Sequence, residues 1–130
     1  MRAEIQINGR AYALANEEWL LPTHNVTLKA CDEAARKLGL SDNGAAVVER
    51  IVAFVRSMGG RPVSSTDVIN HFAAESWGAT GGEWTKFFKY TCKQKAMLRY
   101  KGLPLTATSP MYFAFADTLA DSASFTIPGR

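Results

Sequence analysis

Apolar and polar residues alternate from Glu4-Ile5-Gln6-Ile7 through Asn8-Gly9 to Arg10-Ala11-Tyr12-Ala13-Leu14. Period-two alternation around an Asn-Gly pair predicts a β-hairpin, because both central residues of that tight turn need positive φ. From Val26 to Leu38 the period changes. Leu28, Cys31, Ala34, Ala35 and Leu38 recur at three- and four-residue spacing, and Gly39 follows, which predicts a first helix with a glycine terminator. Ser41-Asp42-Asn43 offers an N-cap for a second helix, whose wide stripe of Val47, Val48, Ile51, Val52, Phe54, Val55 and Met58 ends at Gly59-Gly60. So wide a stripe is expected of the central core helix.

Arg61-Pro62-Val63 is expected to be extended, since proline restricts its predecessor, and Ser64-Ser65-Thr66 can cap a short helix carrying Val68, Ile69, Phe72 and Ala73. A loop over 78–82 leads to a helix from about Glu83 to Leu98, with Met97 to Tyr100 turning extended before Gly102 and Pro104. An aromatic strand, Met111 to Ala116, follows the polar stretch Leu105 to Pro110, and the chain beyond Asp117 reads as a tail.

Charge sharpens one segment of this pattern. The net charge is only +3, yet Glu83 to Lys101 holds six basic residues (Lys86, Lys89, Lys93, Lys95, Arg99 and Lys101) against one acid, leaving the rest slightly acidic. Such a segment is a candidate electrostatic footprint for a polyanion, with a solvated helix face as the alternative. At roughly 100° per residue Lys86, Lys89 and Lys93 share an arc of about 60°, while Trp84, Phe87, Phe88, Thr91 and Leu98 take the opposite half. Tyr90 falls nearer the lysines than the other aromatics do.

The order from Ala45 to Ala116 is helix, short extended stretch, short helix, turn, basic helix, then two strands joined by a polar loop. It resembles the winged-helix family, the winged variant of the helix-turn-helix. Together with the hairpin as an arm at 1–25 and the tail at 117–130, the resemblance implies an α+β, helix-rich fold whose helical core with a winged-helix-like domain spans 26–116. It also implies that Glu83 to Leu98 is the recognition helix and Gly102 to Pro110 the wing. Lys86, Lys89 and Lys93 are then expected against duplex phosphates with Tyr90 beside them at the DNA, Gln94, Thr85 and Arg99 as the available base-edge residues, and Lys101, Thr106 and Thr108 on an adjacent backbone. Lysine rather than arginine on that face favours point-charge phosphate contact over bidentate guanine reading.

Ala35 to Ser41 competes as the first half of a helix-turn-helix, but Asp42 to Glu49 carries acids where phosphate would lie. The hairpin could serve as a dimerisation arm. An alternative partner for the lysine face is an acidic protein surface. No GxxxxGK[ST], GxGxxG, HExxH or GxSxG pattern occurs, so the sequence points to no catalysis, cofactor or metal. Cys31 and Cys92, widely separated, are expected as buried thiols in a reducing cytoplasm, and His71 as a boundary residue. About 47% apolar and 21% charged residues suit a chain with a core, and no apolar run reaches the roughly 18 residues of a membrane span.

Overall fold

The computed structural model describes residues 4–59, 61–76, 81–106 and 109–119. The Asn-Gly hairpin forms as expected: β1 (Glu4–Ile7) pairs antiparallel with β2 (Arg10–Leu14), and Asn8 and Gly9 both have positive φ. A short helix follows, α1 (Glu17–Leu20), then a single 3-10 turn at Pro22–His24. Neither was expected, since both lie in the stretch read as an arm.

The first long helix, α2 (Leu28–Leu38), is capped by the Thr27 hydroxyl, which accepts from the Ala30 amide at 3.1 Å, and ended by Gly39 at φ 72°. Next comes α3 (Gly44–Ser57), capped by the Asn43 side chain. Asp32 of α2 also accepts from the Gly44 amide at 2.7 Å, so one helix satisfies a donor at the start of the next. The two helices meet very closely there. A Cβ on Gly44 would lie 2.6 Å from the Asp32 backbone nitrogen.

The brief strand β3 (Val63–Ser64) leads into α4 (Ser65–His71), which a reciprocal pairing of Ser64 and Asp67 caps. The basic segment forms α5 (Gly81–Gln94), β4 (Leu98–Gly102), a loop, and β5 (Met111–Ala114). The helix therefore stops about one turn before the expected Leu98, and β4 opens at Leu98, within the Met97 to Tyr100 stretch expected to turn extended. Part of the expected tail is a helical turn, α6 (Ala116–Leu119), where Asp117 receives two hydrogen bonds from Arg56.

The fold is α+β, with one curled antiparallel sheet in the order β1-β2-β4-β5-β3. Alternation in the strands gives the sheet two buried faces. Val63 and Phe113 point to the helices and join Trp84, Phe87, Phe88, Ile51, Val47 and Leu38 in the larger core. Ile5, Ile7, Tyr12, Tyr100 and Ala114 point the other way and form a second cluster within the curl. Gly102 makes room there, because an added Cβ would sit 3.4 Å from the Tyr12 ring that packs edge-on against Tyr112. The hairpin is thus joined to the body of the protein: Tyr12, Ala13 and Leu14 pair with Gly102, Lys101 and Tyr100.

Candidate functional site

The basic helix α5 is amphipathic as its spacing requires. Trp84, Phe87, Phe88, Thr91 and Cys92 are buried, while Lys86, Lys89 and Lys93 lie half-buried on the opposite arc. Contacts with α1, α2 and α3 flank this helix, while α3, expected as the central core helix, packs against α2, α4, α5 and β5. Thr91 is polar yet fully buried, its hydroxyl donating to the Phe87 carbonyl at 2.7 Å within the helix.

The lysines on that arc have different neighbours. Lys86 pairs with Glu83 at 3.2 Å, one turn earlier. Lys89 holds its ammonium 5.9 Å from the centre of the Trp19 ring. Lys93 borders a cavity beneath α1 and is in no ion pair among the described residues. Tyr90 is half-buried and packs against the larger core, and Gln94 is exposed at the end of the helix. Beyond it Lys95 pairs with Glu49 of α3 at 3.0 Å.

In the loop after β4, Lys101 donates to the Thr106 carbonyl at 3.0 Å, and Ser109 ties Pro104 to Thr106. Lys101 at the end of β4 and Thr106 in the loop are therefore brought together. Thr108 lies outside the described residues.

Arg99 departs from the basic set. Only 3% exposed, it stacks its guanidinium 3.7 Å from the centre of the Trp19 ring, donates to the Ala15 carbonyl, and approaches Glu18 at 3.9 Å. Burial pushes its pKa down from the ordinary arginine value, although an arginine stays charged there. Of the three base-edge candidates, Gln94, Thr85 and Arg99, the last is thus buried against Trp19 and holds α1 to the sheet.

Asn16 and Trp19 complete this attachment. The Asn16 side chain donates to the Met97 carbonyl at 2.7 Å and accepts from the Arg99 amide. Trp19, 5% exposed, belongs to the larger core. Sequence reasoning passed over Asn16, although Asn16 followed by Glu17 and Glu18 is a helix-start signal. The signal is incomplete in one respect: Asn16 caps nothing, its side chain being occupied by β4 and its approach.

Reactive chemistry is weak in the described residues. Burial pushes the Cys31 thiol up to about 11 and the Cys92 thiol up to about 12, opposite to the direction that activates a nucleophile. His71 stacks on Phe54, ring centres 4.3 Å apart. Among the described residues no group of three or more His, Cys, Asp or Glu side chains could hold a metal ion, and no helix is long and apolar enough to cross a membrane. Comparison with protein-family models, with curated proteins and with solved structures finds no match.

Proposed function

We propose that this chain is a non-enzymatic DNA-binding protein of the winged-helix type, a cytoplasmic transcriptional regulator or accessory factor that grips duplex phosphates with α5. The observation that carries the reading is the row of Lys86, Lys89 and Lys93 opposite the buried face of an aromatic-anchored helix. The order α3, β3, α4, α5, β4, loop, β5, with β3 and β4 both paired to β5, supports it further. In this reading the loop from Gly102 to Pro110 is the wing, and Lys101 and Thr106 touch a neighbouring stretch of backbone.

With Arg99 buried, Gln94 and Thr85 are the remaining base-edge candidates, and in this reading affinity comes mainly from phosphates and sequence preference is slight. Three lysine contacts contribute roughly −2.7 to the slope of log affinity against log salt, or about fortyfold between 50 and 200 mM. Fluorescence anisotropy with a labelled generic duplex at those salt concentrations tests this. The variant Lys86→Glu/Lys89→Glu/Lys93→Glu is expected to keep the fold and lose the binding; wild-type binding by the folded variant would overturn the reading. A homodimer on symmetric half-sites would use the outer edge of β1, since β2 is paired with β4.

Leu105, 55% exposed in the loop that follows Lys101, favours a second reading in which the basic face docks an acidic protein around an apolar anchor. A pull-down at moderate salt separates the two: this second reading expects an acidic protein and no nucleic acid to be retained.

A further inference from the structure

Between α1, β2, β4 and the C-terminal end of α5 lies a cavity of about 380 Å³. Leu14, Leu20, Cys92 and Leu98 supply its apolar lining, and Glu17 and Lys93 also line it. Its volume falls in the range of small-molecule sites, roughly 300 to 1,000 Å³. Leu20 is 46% exposed although it borders this space, so an occupant would remove apolar surface from water.

The two charges decide what that occupant is. Glu17 and Lys93 share one cavity, yet among the described residues neither is in an ion pair. A monoanion would meet the like charge of Glu17 and a monocation that of Lys93, whereas a ligand carrying both signs satisfies both. Cys92 adds apolar wall without reactivity, since burial holds its thiol protonated.

We propose that this cavity binds a small zwitterion with an apolar side chain, an amino acid of the phenylalanine or leucine kind. Its carboxylate lies on Lys93, its ammonium on Glu17, and its side chain among Leu14, Leu20 and Leu98. The proposal does not rest on duplex binding, although Lys93 serves both, and it is tested without DNA.

Calorimetric or NMR titration of the full chain with L-phenylalanine, phenethylamine, L-serine and N-acetyl-L-phenylalanine amide, each to about 10 mM, provides the test. L-phenylalanine is expected to saturate with a millimolar Kd and the other three to bind at least about tenfold more weakly. Glu17→Gln should weaken L-phenylalanine about tenfold, and Leu20→Trp, which fills the space from an exposed position, should abolish its binding. Thermal melts of both variants establish that they fold. Failure of L-phenylalanine to saturate overturns the proposal. So does equal binding of the neutral amide, which would point to an apolar side chain of a partner protein, and so does unchanged affinity in both variants, which would place the ligand elsewhere.

Discussion

Single residues carry much of the specification here, and Gly44 is the clearest. Asp32 and Cys31 of α2 occupy the space where any larger residue would put its Cβ, at 2.6 to 2.7 Å. Those neighbours are backbone atoms and the base of a side chain, so they cannot rotate away. Gly44→Ala is therefore expected to destabilise the protein by about 1–3 kcal/mol, read as a lower Tm. Arg99 makes a different prediction. Arg99→Ala removes the guanidinium from Trp19 and Ala15, so it should lower the Tm while leaving the duplex affinity of the folded fraction at the wild-type value. A selective loss of affinity with unchanged stability would return Arg99 to the recognition surface. Acid sensitivity rests on Glu75, whose carboxylate accepts from Ser41 and pairs with Arg50 at 2.8 Å. Arg50, and then Ser41, hold its pKa down from the ordinary 4.5 to about 2. A carboxyl depressed in the folded state contributes stability that is fully present above pH 4.5 and is lost as pH falls towards 2. Denaturant unfolding across that window should show a smaller acid-dependent loss for Glu75→Gln than for wild type; identical slopes would mean that the pair contributes nothing.

At the level of elements, legibility follows how local the cause is. The Asn8-Gly9 turn, the Gly39 terminator and the Ser64 cap each act within a few residues, and each lies where the pattern placed it. The end of α5 shows the opposite case. Lys95-Ala96-Met97 has good helix propensity, but Ala96 adopts φ 57° and the chain leaves the helix, because Leu98, Tyr100 and Gly102 are required by the sheet. Arg99 was misread for the same reason: one cation among six in a short segment looks solvated, and its true partners, Ala15 and Trp19, are about 80 positions away. The cavity beneath α1 was equally hidden, since its two charges come from Glu17 and Lys93. The hairpin was seen, but not its attachment. Deleting residues 1–15 would strip β2 from β4 and expose Tyr100, so the truncated chain is expected to lose cooperative thermal unfolding and near-UV circular dichroism. A cooperatively folded truncation product would instead make the hairpin a separable arm.

For the whole molecule, Lys93 is where two surfaces meet, since it ends the outward lysine row of α5 and also borders the cavity beneath α1. A carboxylate bound on Lys93 would neutralise one of the three cations proposed to contact phosphate. If both proposals hold, the two ligands must oppose each other by the same factor, because a coupling free energy between two binding sites is reciprocal. Saturating L-phenylalanine is then expected to weaken the duplex and make its salt slope shallower by about one contact, close to 0.9. Duplex should weaken L-phenylalanine equally. Anisotropy with and without the amino acid gives one factor, and calorimetry of L-phenylalanine with and without duplex gives the other. Unequal factors would show that one titration reports a different site. A duplex affinity indifferent to bound L-phenylalanine would show that Lys93 does not touch phosphate, leaving Lys86 and Lys89 to carry the contact.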